Sequence, residues 1–542
     1  MPWIQPTDPC HNLAASLALA LIPIGLIFWA LVLRKMKGYQ ASLLAITAAF
    51  LIAVLVYRMP VKLALLSAGN GAIYGLFPIC WIIVTAVFLF NCTIRSGQFE
   101  IIRHFMASIT ADRRIQALLI AFSFGSFLEG TAGFGAPVAI TAAMLTGLGF
   151  NPLYAAGLCL IANTAPVAFG SIGIPVTVAS QITGLPEQAL SSMIGRTLPF
   201  LSALLPFYLV TLMAGFKQAR EVAPAALASG LSFALIQFLS SNFLGPALPD
   251  VLAGIGSIIS LLLLLRFWRP RTIWRFPEEA APAQDIVSIP SRRLLWALAP
   301  FIILTILIII WGLVPVKEWL NTHGTLQFAV PGLHNAIIEQ NGALLPHIYK
   351  LNYLSAAGTA ILVAAILALL ISGLTAGQAA AVLTDTLRQL RFPILTIAAV
   401  LAFAYLMNDS GITQTIAGVL ANTGPLFPFF APVLGWLGVF ITGSDTSSNA
   451  LFGKLQAATA TSIHVDPIVT VGANVSGGVI GKMISPQSIA VAAAAGNLVG
   501  KESDLFRFTV RHSFILLCII CSIVLAQAYW IKWMIPSYTH HP

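Results

Sequence analysis

Charge is what this sequence has least of. Only 8% of its 542 residues are Asp, Glu, Lys or Arg, whereas soluble globular chains carry about 25%. With 58% of residues hydrophobic, too little polar surface remains to cover a body of this size in water, so the bilayer is its solvent. Basic residues outnumber acidic ones, 28 to 18, for a net charge of +10. They fall in short connections between apolar runs, where they set membrane orientation, and no nucleic-acid partner is expected. Cysteine is scarce too. Of the six, Cys518 and Cys521 are spaced as CxxC inside FILLCIICSIVLA, where two small apolar side chains on a spanning helix explain them better than a redox or metal site. The nine His form no HxxxH or HExxH pattern, so no metal centre and no cofactor is expected. GxSxG is absent, and no second acid lies within helical reach of Glu129; enzyme chemistry is therefore not expected. No sizeable soluble output domain of the kind a receptor carries is present either. The first dozen residues hold no Lys or Arg, and a cleavable signal peptide needs a basic start, so the first apolar run reads as a permanent span.

What the chain has in abundance is apolar runs long enough to cross a bilayer, which takes about 20 residues. Twelve stand out: 13–33, 40–57, 76–94, 152–170, 190–213, 223–242, 249–267, 294–314, 350–373, 393–408, 467–482 and 513–534. Two further apolar regions, 115–148 and 425–462, are interrupted by Gly, Ser, Thr and Asn. Each reads as a pair of half-helices that dips in and returns, since irregular backbone at membrane depth is tolerated only when buried in protein or lining a cavity. The expected fold is an all-α polytopic membrane protein of about twelve spans plus two re-entrant hairpins. Residues 1–220 form a first repeat, 221–293 linking helices and a flexible cytoplasmic loop, and 294–542 a second repeat. That loop, 268–293, is Pro- and charge-rich.

Arg34, Lys35 and Lys37 follow the first span and nothing basic precedes it, so the N-terminus is expected outside. Counting both interrupted regions as re-entrant then places Arg103, Arg113, Arg114, Lys217, Arg220, Arg266 to Arg293, Arg388, Arg391 and Lys501 to Arg511 inside. The connection 315–349 and the C-terminus fall outside. The two halves also match. FGSFLEGTAGFG at 124–135 and TGSDTSSNALFG at 442–453 align at an offset of 318, pairing Gly125, Ser126, Ala132, Phe134 and Gly135 with Gly443, Ser444, Ala450, Phe452 and Gly453. Asn163, Gly170 and Pro175 meet Asn474, Gly481 and Pro486 at an offset of 311, and Phe77-Pro78-Ile79 resembles Phe392-Pro393-Ile394. The first repeat is entered from inside and the second from outside, an inverted repeat of the kind secondary transporters use.

In such a plan a ligand sits where broken helices expose backbone groups, and half-helix N-termini favour an anion. Gly125, Ser126, Gly130, Thr131, Asn163, Ser444, Ser447, Ser448, Asn449 and Asn474 are the candidate contacts: glycines for close approach, hydroxyls and amides for capping and donation. Glu129 and Asp445 are carboxylates inside apolar segments, where charge is expensive. Burial favours the uncharged form of a carboxyl, so either can carry a proton; the alternative is that each only ties hairpin backbone together. Lys482 is read as a counter-charge, Lys454 as a snorkelling residue, Arg196 as an anchor and Asp409 as a helix cap. His464 and the other His, at span ends, are assigned core or surface roles.

GSFLEGTAGFGAPVAI (125–140) and TGSDTSSNALFG (442–453) resemble the signature segments of the bacterial lactate permease family, and the likeness in length, apolar pattern and central loop extends over nearly the whole chain. The resemblance implies proton-coupled symport of lactate and related 2-hydroxy monocarboxylates (D-lactate, glycolate) across the inner membrane. It also implies a plan similar to the wider ion-transporter superfamily, with paired re-entrant hairpins and an elevator-like movement. The alternative is a sodium-coupled carboxylate carrier, because Ser- and Asn-rich hairpins can also coordinate a cation. A passive channel is the reading that accumulation against a gradient would exclude. Expected partners are lipid, protons and the small anion, with a homodimer as the assembly to test.

Overall fold

The computed structural model describes all residues except 1, 31–33, 35, 134, 277–289, 340–341, 497, 499–500 and 539–542. Lys35, Phe134 and half of the expected flexible loop, 277–289, lie outside the described residues. Among the described residues ten helices are long and apolar enough to cross a membrane, or eleven if the bent pair Pro152–Ala162 and Val167–Thr183 counts as one span. Two of the twelve expected spans, 13–33 and 350–373, are helices of 16 residues, Leu13–Phe28 and Ala357–Ser372. At 1.5 Å per residue each is about 24 Å long, less than the bilayer core of about 30 Å. Two others are longer than expected. The runs 76–94 and 393–408 belong to continuous helical stretches, Val61–Arg95 and Ala376–Ser410, of 35 residues each.

Those two long stretches cross as a frame. A Cβ on Gly71 would stand 2.4 Å from the carbonyl oxygen of Leu401, and one on Gly75 2.9 Å from Ala398 Cα. Small residues therefore bring the backbones together, the usual basis of helix packing where lipid supplies no hydrophobic drive. Each stretch carries a proline near its middle, Pro78 and Pro393.

The elements recur in order. Val61, Pro152 and Glu187 open a long helix, a broken helix and a further span; Ala376, Pro467 and Glu502 open their counterparts, 315 residues on in each case. Between the long and the broken helix of each set lies an antiparallel helical pair. The first runs through Arg113–Ala117, Leu118–Phe124 and Gly125–Thr131 and returns as Ala136–Gly147; the second is Phe427–Thr442 and Asp445–Ser462. The returning arm of each pair packs on the second half of the other set's broken helix: Gly453 beside Thr183, Gly135 beside Val491. The contact is thus reciprocal between the two sets.

At one face the strand Trp3–Ile4 pairs in parallel with Ile337–Ile338, and Leu326–Ala329 pairs antiparallel with Ile348–Leu351. At another place Arg114, wholly buried, binds Asp112, Glu221 and the carbonyls of Gln218 and Thr272. Asp409 is not a helix cap. It lies in the last turn of Ala376–Ser410, buried, where its Oδ2 accepts from Ser67 at 2.6 Å and pairs with His347 Nε2 at 3.0 Å. Gly411, in the left-handed conformation, ends that helix instead. Arg196, absent from the cavity lining, donates to Asn242 Oδ1 at 2.8 Å and to the carbonyl of Met534 at 3.0 Å.

Candidate functional site

Four chain breaks meet at one place. The first helical pair turns at Ala132–Gly135 and the second at Gly443–Ser444, where Gly443 has φ 70°. Only a residue without Cβ adopts that turn cheaply. The first broken helix bends by 63°, and the second stops at Lys482 and restarts at Pro486. Ser444 caps Asp445–Ser462 by accepting from the Ser447 N–H, and Ser485 caps Pro486–Ala495 by accepting from the Ser488 N–H.

A further kink, within Val167–Thr183, is strained. Ser171, Ile172 and Gly173 all have positive φ, at 48°, 60° and 75°, and a β-branched residue there is a genuine outlier. The surroundings hold it. Ser171 Oγ donates to the Ala132 carbonyl at 3.2 Å, and a Cβ on Gly133 would sit 1.9 Å from that hydroxyl. A Cβ on Gly173 would sit 2.3 Å from the Pro246 carbonyl. Strain of this kind persists where packing over-determines it, and it concentrates at functional sites.

Between the breaks lies a cavity of about 80 Å³ lined by Glu129, Gly135, Val167, Gly170, Ser171, Pro175, Gly443, Ser444, Asp445, Thr446, Lys482, Gln487, Ser488 and Val491, roomy enough for several waters or a small organic acid. Helix N-termini at Gly135, Pro175, Ser444 and the 485–488 turn all reach it, and each presents free N–H groups and the positive end of a dipole.

The cavity's charges are arranged as a buried ion pair beside an unpaired acid. Lys482 Nζ lies 2.6 Å from Glu129 Oε1, and Asn163 Nδ2 donates to Glu129 Oε2 at 2.9 Å. Gly170 makes room: a Cβ there would be 2.8 Å from Oε1. Asp445 is 3% exposed. Asn449 bears on it, yet neither carboxylate oxygen accepts a hydrogen bond of acceptable geometry among the described residues. Lys482 is the charged group that acts on it, and a Cβ on Gly478 would meet its Oδ1 at 2.1 Å.

Glu129, Ser444, Asp445 and Lys482 thus come together on the cavity wall, with Asn163 behind Glu129. The other expected contacts do not line it. Gly125 packs beside Thr141, Gly130 against Val251 and Asp250, and Thr131 donates back to the carbonyls of Phe127 and Leu128. Ser126 is buried in the arm with no partner for its hydroxyl among the described residues. Ser447 spends its N–H on the cap, and Ser448 donates to the Gly435 carbonyl at 3.1 Å. Asn449 donates to the Pro175 carbonyl at 3.1 Å and accepts from Asn474 at 2.8 Å, while Gln456 donates to Asn474 Oδ1 at 3.2 Å. These amides bind the second helical pair to both broken helices. Sequence reasoning missed Ser171, Thr446, Gln487 and Ser488. A signal for the last two was available in Ser485-Pro486, a cap followed by proline at the first helical position.

Apolar helices in this number, paired around a polar cavity of broken helices, define a multi-pass membrane transport protein. The family model described as L-lactate permease matches residues 16–531. The chain is 54% identical to the L-lactate permease of Bacillus subtilis (strain 168), over 99% of this chain and 100% of that one. It is 49% identical to the glycolate permease GlcA of Escherichia coli (strain K12), over 99% and 100%. The chain belongs to the L-lactate permease family. It is a permease rather than an enzyme and, as a bacterial family member, an integral protein of the inner membrane. Among solved structures it is similar to the YdaH transporter of Alcanivorax borkumensis at a TM-score of 0.46 and 12% identity, covering 87% of this chain and 89% of that one; so distant a likeness carries no argument.

Proposed function

We propose that this chain is a secondary active transporter that moves L-lactate and related 2-hydroxy monocarboxylates, D-lactate and glycolate among them, together with protons. The relatives named lactate and glycolate permease support the substrate class. The observation that carries the coupling is the Glu129–Lys482 pair on the cavity wall. While Glu129 is ionised it occupies the one ammonium of the cavity, and the helix N-termini alone face an incoming carboxylate. A proton on Glu129 dissolves that pair and leaves Lys482 a buried, uncompensated cation, which costs several kcal/mol. The substrate carboxylate offsets that cost. Proton and anion therefore bind together or not at all, and the cavity's net charge is the same empty and loaded. Asn163 holds Glu129 in reach of Lys482, and Ser171, Ser444, Gln487 and Ser488 are placed to meet the carboxylate and hydroxyl.

A second reading, sodium coupling, is favoured by Asp445, whose two oxygens stand unfilled beside the cavity and could hold a cation.

The test is uptake of labelled L-lactate into proteoliposomes under an inward proton gradient without sodium, for the wild type and Glu129→Gln. Wild type accumulates lactate; Glu129→Gln loses accumulation down to the level of protein-free vesicles. Wild-type uptake that ignores the proton gradient and follows sodium would replace this reading by the second, and absence of lactate movement would overturn the substrate class.

A further inference from the structure

Three carboxylates and one ammonium are buried together in this core. Glu129, Asp250, Asp445 and Lys482 are 3%, 1%, 3% and 9% exposed. One cation neutralises one anion, and Lys482 is taken by Glu129. Asp250 is outside the cavity and outside every motif of the sequence. It lies in the first turn of the helix Pro249–Phe267, whose face is pressed onto the helix that carries Glu129. A Cβ on Gly130 would stand 2.8 Å from Val251 N and 3.0 Å from Asp250 Cβ, and one on Gly254 2.7 Å from Phe127 N.

An acid in a first helical turn ordinarily serves the free N–H groups and the dipole. Asp250 does not. Its Oδ1 accepts only a long 3.4 Å bond from Gln237 Nε2, which also donates to the Ala165 carbonyl at 3.0 Å. Its Oδ2 has no partner among the described residues. The charged groups that act on it are Glu129 and Lys482; the neighbouring helix Ala223–Phe243 contains none. A carboxylate buried at this depth with neither a cation nor a good donor is costly, whereas the carboxylic acid has an O–H to give.

Resting on the symport reading above, we propose that Asp250 is the proton relay for Glu129. In the transfer the O–H bond on Asp250 breaks and one forms on Glu129. Asp250 is left a carboxylate, Lys482 remains an ammonium free for the substrate, and the three groups together stay neutral. Asp250 then takes its next proton from hydronium of the aqueous phase.

The experiment compares wild type, Asp250→Asn and Asp250→Glu in proteoliposomes by three readouts: proton-driven lactate accumulation, lactate–lactate exchange, and the infrared carbonyl band of protonated carboxyl groups. Asp250→Asn is expected to lose accumulation by about tenfold or more, within the range over which coupled ligands act on one another. It should lose part of the protonated-carboxyl band, while exchange falls less than accumulation; Asp250→Glu restores both accumulation and band. The proposal is overturned if Asp250→Asn accumulates like wild type, if the band is unchanged, or if accumulation and exchange fall in equal proportion without rescue by Glu. Wild type indifferent to the proton gradient overturns the symport reading itself, whereas a proton-driven wild type matched by Asp250→Asn overturns the relay alone.

Discussion

Lys482 ends one helix at a cavity that the starts of four others reach, and its chemistry suits that place. Its ammonium is a compact charge on a flexible stem, suited to the proposed exchange of Glu129 for a substrate carboxylate, whereas a guanidinium would lock bidentately onto the acid. A second buried pair, between His347 and Asp409, lies at the edge of the frame and makes a prediction of its own. His347 belongs to the connection after Leu326–Ala329, outside the spans. Burial pushes its imidazole down, but the Asp409 hydrogen bond and charge, with the carbonyls of Leu345 and Leu333, outweigh this, and the net shift is upward. A group raised on folding stabilises the fold below its unfolded value, about 6.5 for His, and that contribution is lost as pH rises through the folded value. The melting temperature of detergent-purified protein should therefore separate wild type from His347→Gln most below about pH 6.5, with the gap closing as pH rises. A gap that is constant or widens would refute the pairing. Glu129, Asp445 and Lys482 could be read from sequence because a charge inside an apolar run has few bland explanations. Asp250 could not, since an acid after proline at the start of a span looks like an ordinary helix opening.

At the scale of elements, the second helical pair and the second broken helix form one block through glycine. A Cβ on Gly477 would stand 1.9 Å from the Pro432 carbonyl oxygen, and one on Gly435 1.9 Å from that of Asn474. Neither obstacle is the end of a flexible side chain, so Gly477→Ala must push the helices apart. Overpacking of this kind costs about 1–3 kcal/mol. Gly69→Ala, with open space around it, is the control and should be neutral or slightly favourable in its helix. The two variants are compared by melting temperature and folded yield; equal behaviour would show that the block is looser than its contacts imply. The breaks in these elements were announced by clusters of Gly, Ser, Thr and Asn at 130–135 and 443–449. Helix lengths were not. The charged stretch Asp385 to Arg391 reads as a connection, yet it is helical and continuous with the apolar run after Pro393. The strands of 326–351 escaped notice because Leu326–Ala329 is exposed throughout and has no buried face to impose an alternating pattern.

For the whole molecule, the arrangement of connections tests the count of crossings. Segments expected on one side of the membrane meet: Arg114 with Gln218, Glu221 and Thr272, and the Arg113 N–H with the Trp274 carbonyl at 3.1 Å. Segments expected on the other side meet as well. Trp3–Ile4 pairs with Ile337–Ile338, and Gln5 Nε2 donates to the Asn408 carbonyl at 2.6 Å. One crossing too many or too few between any two of these segments would have separated partners that the fold joins, so the parity of the expected topology agrees with the packing even though several helix ends moved. Packing alone does not distinguish the two faces; the distribution of basic residues carries the expectation that the Arg114 face is cytoplasmic. Cys10, partly exposed beside the N-terminal strand, is a ready reporter for the opposite face. In Cys518→Ser, which removes the exposed thiol of the last long helix, a membrane-impermeant maleimide should label Cys10 in intact cells. A cysteine placed at exposed Arg271 in a Cys10→Ser, Cys518→Ser background should be labelled only after the membrane is opened. The reverse pattern would invert the topology and, with it, the side from which the cavity is filled in the symport proposed above.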